Sequence, residues 1–180
     1  MKALWEPPLL DTLLDPEKAE DLRALVGPDQ HLQFLEFVLR YTQRLGGEEK
    51  ESLRRVAEPY LPEILPRLKH RLMSHRVRAV QTLGTLGLPR YIPEVKEAIG
   101  DPSPFVAAMA ARLLAHEVGA EAAPELCASL ARLKTFRTWY LVDMMVALGP
   151  AAVPAIRDAL ENNELPPRTR AVAAQSLSVL

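Results

Sequence analysis

One short motif recurs four times along this chain at an almost constant interval, and it constrains the fold more than any other feature. Each copy places a proline between apolar residues, and successive prolines lie 31, 31 and 30 residues apart: Leu61-Pro62-Glu63-Ile64, Ile92-Pro93-Glu94-Val95, Ala123-Pro124-Glu125-Leu126 and Val153-Pro154-Ala155-Ile156. A further apolar residue six positions after each proline completes one helical stripe. Because the first turn of a helix tolerates proline, each copy predicts the start of a helix.

A preceding helix is predicted in each unit by capping residues and by glycines. The predicted N-caps are Ser74, Ser103 and Thr135. The glycines predicted to end these helices in the left-handed conformation are Gly87, Gly119 and Gly149. Each unit is therefore a helix, a short turn and a second helix. Two helices this short cannot bury their apolar faces alone, so successive units must stack.

Val77-Arg78-Ala79-Val80 and Thr169-Arg170-Ala171-Val172 are similar to the opening of a repeat in the HEAT-repeat family, and Asp101-Pro102 is similar to its inter-repeat turn. The chain most resembles the short bacterial variety of this family, over roughly residues 48–180. The resemblance implies an all-α fold, a right-handed α-α superhelix of about four repeats. We expect the last repeat to be incomplete, the natural protein to continue, and the exposed C-terminal repeat to allow self-association.

Residues 1–47 do not fit the repeat and predict an N-terminal helical cap. Asp15-Pro16-Glu17 predicts a helix start, and Gly27-Pro28 predicts its end. An apolar stripe then runs from Leu32 to Leu45. An acidic leader before degenerate repeats also resembles bacterial membrane-anchored HEAT proteins. That resemblance implies that the chain is the cytosolic part of an assembly factor and has a cytoplasmic location. It would associate with a membrane only through an anchor that is absent from this chain.

Common catalytic and metal-binding signatures are missing from the sequence. It has no GxSxG, HExxH, P-loop or GxGxxG motif, and its four histidines are not paired at helical spacing. The single cysteine, Cys127, can form neither an internal disulfide nor a CxxC pair, and we interpret it as a small buried residue. We therefore expect no enzyme activity, no metal and no cofactor.

Trp139 and Asp143 are the best catalytic candidates, because residues four apart share one face of a helix. The pair is similar in outline to the surface of HEAT-like DNA alkylpurine glycosylases. A net charge of −1 and an aromatic content of 6% argue against nucleic-acid binding. The alternative is that Trp139 packs between helices and Asp143 is solvated or paired with an arginine.

A basic run without acidic residues extends from residue 67 to residue 78 and is a candidate anion site: Arg67, Lys69, Arg71, Arg76 and Arg78. Residues 1–66 carry 8 basic and 13 acidic residues, so this leader is acidic. Three interpretations remain open for the run. It pairs within the molecule, it contacts phosphate or anionic lipid, or it binds an acidic protein.

The resemblance also implies that second helices line a concave face, where a protein partner would lie. The candidate contact residues are Glu63, Glu94, Lys96, Glu97, Glu125, Arg157 and Asp158, with Trp139 in addition. The sequence thus predicts a non-catalytic scaffold or adaptor that binds a protein segment. The alternatives are a nucleic-acid-binding or glycosylase-like module and the cytosolic part of a membrane-anchored assembly factor.

Overall fold

The computed structural model describes residues 2–42 and 44–180, and every regular element in these ranges is a helix. The chain divides into two compact units, Met1–Arg71 and Leu72–Leu180, called here the N-terminal and C-terminal units. The all-α class predicted from the repeat is confirmed. No single helix in these ranges is long and apolar enough to cross a bilayer. The segments Thr138–Val146 and Pro150–Glu161 meet the length and composition criteria only as a pair, which is bent by 104°.

The described residues of the N-terminal unit form four α-helices, followed by two 3-10 segments, Glu58–Glu63 and Leu65–Lys69. The helices are α1 (Lys2–Leu14), α2 (Ala19–Ala24), α3 (His31–Thr42) and α4 (Gly47–Ala57). The predicted helix start at residue 15 is a 3-10 turn, Pro16–Lys18, in which the Asp15 carboxylate accepts the Glu17 N–H at 3.2 Å.

An aromatic cluster forms the core of this unit. The fully buried Trp5 of α1 meets Phe34 edge-to-face at 5.4 Å, and Phe34 meets Tyr60 at 5.2 Å. Helix α1 was not predicted, because Pro7 and Pro8 lie inside it. Burial of the apolar side chains of α1 stabilises a helix that its two prolines alone disfavour.

Pro62 behaves differently from the three prolines aligned with it. It lies inside the 3-10 segment Glu58–Glu63 and opens no α-helix, so this part of the repeat prediction is wrong. Pro59 and Pro66 flank it within a few residues. Since each proline removes a backbone donor and clashes with the preceding turn, an α-helix cannot propagate through the three of them.

The C-terminal unit is a repeat solenoid of seven α-helices. These are α5 (Met73–Leu86), α6 (Ile92–Glu97), α7 (Pro104–Glu117), α8 (Ala123–Ser129), α9 (Thr138–Val146), α10 (Val153–Glu161) and α11 (Pro167–Leu177). The first helices of successive repeats, α5, α7, α9 and α11, contact one another in order and form one layer. The second helices α6, α8 and α10 pack against this layer, and α8 also contacts α10.

The proline register predicted for these second helices is confirmed. Pro93, Pro124 and Pro154 lie in the first turns of α6, α8 and α10. The aligned apolar residues two positions later, Val95, Leu126 and Ile156, are each 0% exposed. The stripe therefore is the core between the layers.

Glycine ends the first helices as predicted, but not all of the helices start at the residues predicted. Gly87, Gly119 and Gly149 have φ values of 60°, 66° and 79°, in the left-handed region that side chains disfavour. Of the predicted N-caps only Ser103 holds that position, and its side chain makes no capping hydrogen bond. Helix α9 begins at Thr138, three residues after Thr135, because the buried Leu133 holds the intervening segment in a turn.

Candidate functional site

The exposed side of α6, α8 and α10 is the predicted partner surface, called here the second-helix face. Its charged members Glu97, Glu125, Arg157 and Asp158 are exposed, and Lys96 is half-buried. Lys96 Nζ donates to Glu125 Oε1 at 3.0 Å, which links α6 of one repeat to α8 of the next. This hydrogen bond lowers the pKa of the Glu125 carboxyl, so the carboxylate is favoured.

Two side chains near this face are partly or fully buried. The Oε2 atom of Glu94 is buried and has no hydrogen-bond partner among the described residues. Cys127 is 4% exposed, with its Sγ 4.0 Å from the Ala155 carbonyl oxygen. Burial raises the pKa of its thiol to about 11, so Cys127 is a neutral packing residue at physiological pH and not a nucleophile.

Glu63, also predicted as a contact residue, lies in the N-terminal unit and has a local role there. Its carboxylate contacts the Nδ1 atom of His31. The His31 ring also packs on Tyr60, with ring centroids 4.8 Å apart. Glu63 therefore connects the start of α3 to the segment that follows α4, and it is not part of the second-helix face.

The basic run is divided between the two units. Arg67, Lys69 and Arg71 belong to the first, whereas Arg76 and Arg78 belong to α5. Arg76 makes a two-pronged ion pair with Asp101, from Nε at 2.7 Å and from Nη2 at 3.0 Å. The Asp101 side chain is only 6% exposed and also accepts the Ser103 N–H at 2.7 Å. For Arg76, pairing within the molecule is thus the observed role, and it joins the first repeat of this unit to the second.

Trp139 is 66% exposed on α9, so the interpretation that it packs between helices is wrong. The Tyr140 ring meets it edge-to-face at 6.0 Å and stacks on Phe136 at 5.2 Å. The guanidinium of Arg112, from the neighbouring α7, lies 6.0 Å from the Tyr140 ring centre. We call Arg112, Phe136, Trp139 and Tyr140 the aromatic surface.

The sequence prediction missed most of this cluster. One signal was present, the interleaving of three cations with three aromatic residues between Arg132 and Tyr140. Asp143, one turn beyond Trp139, is exposed, and no hydrogen bond in the described part of the chain orients its carboxylate.

No group of three potential metal ligands comes together among residues 2–42 and 44–180.

Among the comparisons with known proteins, residues 61–138 match a family model described as HEAT repeats. The matched segment starts just before Pro62, includes α5 to α8 and ends at the first residue of α9. Neither the curated proteins nor the solved structures include a significant match.

Proposed function

We propose that the chain is a non-catalytic scaffold that binds a segment of a protein partner along the second-helix face, because residues 61–138 match a family model described as HEAT repeats. Solenoids of stacked helical repeats commonly present such extended binding surfaces. The observation that carries the proposal is the row of charged side chains on successive second helices, with Lys96 and Glu125 already joined across a repeat boundary at 3.0 Å.

The partner would meet both signs of charge along this row. Glu97 and Glu125 offer carboxylates, while Arg157 offers a guanidinium. The helices that carry them are anchored by fully buried residues on their opposite sides, so the charges are held in fixed order. Such an arrangement selects partners by charge pattern and register more than it adds raw affinity.

Site-specific photo-crosslinking in the native host tests this proposal. A photoreactive amino acid at position 97 or 157 should capture the same protein, whereas the same amino acid at the exposed position 164 should not. The captured protein is then purified, and its Kd is measured against the wild-type chain and charge-reversal variants. We expect Glu125→Lys and Arg157→Glu to weaken binding by roughly tenfold, with Glu164→Lys as the matched control.

Absence of position-specific capture, or a Kd that the two reversals leave unchanged, would remove the second-helix face as a partner site.

The glycosylase-like alternative has one observation in its favour, the exposure of both Trp139 and Asp143 on α9. Incubation of the protein with alkylated DNA, followed by chromatography of released bases, tests it. We expect no release above the level of a Asp143→Asn variant. Release that depends on Asp143 would overturn the non-catalytic assignment.

A further inference from the structure

The aromatic surface lies on the first-helix layer of the C-terminal unit, and it has the composition of a binding site. Trp139 is 66% exposed on α9, and its ring meets the Tyr140 ring edge-to-face at 6.0 Å. Tryptophan, tyrosine and arginine are the residues most enriched at the energetic centres of protein interfaces. An exposed tryptophan ring beside a second aromatic ring is therefore a surface suited to bind a partner.

Three cations accompany these rings, Arg112 at 6.0 Å from the Tyr140 ring centre and Lys134 and Arg137 on either side of Phe136 in the sequence. Arg112, Lys134 and Arg137 are all exposed, and none forms an ion pair with a carboxylate in the portion of the chain that the structure describes. Asp143 is the one acidic residue on the same helical face as Trp139. With three cations and one carboxylate, the surface favours a partner that is predominantly, but not uniformly, negative.

Backbone contacts fix the segment that carries these side chains. Arg168, in the first turn of α11, donates hydrogen bonds from its guanidinium to the carbonyl oxygens of Lys134 and Phe136. Leu133 is fully buried directly before this segment. A surface held in this way loses little conformational entropy on binding, which increases its affinity for a given contact area.

We propose that the aromatic surface is a second binding site, for an acidic protein segment whose apolar side chain packs on Trp139. Carboxylates of the segment would pair with Lys134 and the two arginines, and a backbone N–H of the segment would donate to Asp143. The phosphates of a nucleic acid or an anionic membrane are negatively charged, and Asp143 would repel them at this position. The mixture of charges thus favours a peptide, and the site lies on the layer opposite to the second-helix face.

The probe is a random peptide library displayed on phage and panned against the full chain, with the Trp139→Ala protein as counter-selection. The selected sequences should carry Asp or Glu on both sides of a large apolar residue. A synthetic peptide of the leading sequence, labelled with fluorescein, then gives the Kd by fluorescence anisotropy. We expect Trp139→Ala to weaken binding by roughly tenfold or more, and Arg137→Gln by about threefold to tenfold.

Matched controls come from exposed residues of the N-terminal unit. Leu14→Ala removes an apolar side chain that is 88% exposed, and Arg55→Gln removes an exposed guanidinium. Both variants should bind the peptide as the wild type does. Because Trp139 is exposed, Trp139→Ala should keep the wild-type thermal unfolding curve, and Arg137→Gln tests the surface without removing any ring.

Three results would overturn the proposal. One is enrichment of peptides without acidic residues, and a second is a Kd that is insensitive to both Trp139→Ala and Arg137→Gln. The third is Trp139-dependent binding of oligothymidylate or phosphatidylserine vesicles that is tighter than peptide binding, which would assign the surface to phosphates. Charge reversal on the second-helix face should leave peptide binding unchanged, so failure here and failure of the proposed scaffold surface are distinguishable.

Discussion

Gly84 provides a sharp test of how closely the first helices pack. It is buried in the middle of α5, and a Cβ atom added to it would lie 2.5 Å from Cδ1 and 2.8 Å from Cβ of Leu113 on α7. The Cδ1 contact can be relieved by a change of rotamer. The Cβ contact cannot, because that atom is attached to the backbone of α7. Gly84→Ala therefore forces the two helices apart.

Two effects of opposite sign determine how Gly84→Ala changes the free energy of unfolding. Alanine is favoured over glycine in a helix interior by about 1 kcal/mol. Overpacking of a well-packed core costs typically about 1–3 kcal/mol, and a contact that no rotamer can relieve belongs at the upper end of that range. We therefore expect Gly84→Ala to lower the free energy of unfolding by about 2 kcal/mol.

Urea denaturation followed by far-UV circular dichroism measures this change. Gly100→Ala is the control, because the nearest atom to its added Cβ, Nη1 of Arg132, lies at an ordinary 3.9 Å. In a Leu113→Gly background the obstructing side chain is gone, so the same Gly84→Ala change should become stabilising by up to about 1 kcal/mol. A stabilising effect already in the wild-type background would refute the close approach of α5 and α7.

Three further predictions concern single side chains. Leu126→Asp places a charge in a fully buried position and should lower the free energy of unfolding, measured in urea, by about 4 kcal/mol or more. Ala128→Asp, on the exposed side of the same helix, should change it by less than about 1 kcal/mol. Trp139→Phe leaves Trp5, which is 1% exposed, as the remaining tryptophan. Tryptophan fluorescence should therefore shift to shorter wavelength and resist quenching by acrylamide, and unchanged quenching would contradict the exposure of Trp139. Burial raises the pKa of the Cys127 thiol from 9.0 to about 11, so the free energy of unfolding should fall as pH rises from 9 to 11. This fall should be shallower in Cys127→Ala. An identical dependence on pH in the variant and the wild type would refute the raised pKa.

The second helices could be predicted from the sequence because their determinants are local. A proline in the first turn and a glycine with positive φ restrict the backbone wherever they occur, so Pro93, Pro124 and Gly119 mark boundaries without knowledge of the fold. The same reasoning failed at Pro62, where neighbouring prolines changed the local outcome. It also missed α1, whose stability depends on burial of Trp5 against α3.

The candidate sites were less predictable, because they depend on distances between helices. Arg112 and Tyr140 are 28 positions apart in sequence, and only the packing of α7 on α9 brings them to 6.0 Å. The sequence left open whether Trp139 packs between helices or contacts a partner, and it lies on the exposed side of a helix that starts three residues later than Thr135 suggested. Arg76 and Asp101 meet for a similar reason, across 25 positions.

Arg132 and Arg168 each donate hydrogen bonds to backbone carbonyl oxygens of the preceding repeat. Arg132 donates to Gly100, and Arg168 donates to Lys134 and Phe136. A carbonyl oxygen is supplied by every amino acid, so these contacts hold the turns in place whatever side chains the turns display. The segment from residue 134 to residue 137 can therefore exchange its lysine, phenylalanine and arginine for other residues without losing its anchor. The solenoid thus separates the part of the sequence that sets the position of a recognition loop from the part that sets what the loop recognises, and it can acquire a new partner through a few substitutions on an unchanged framework.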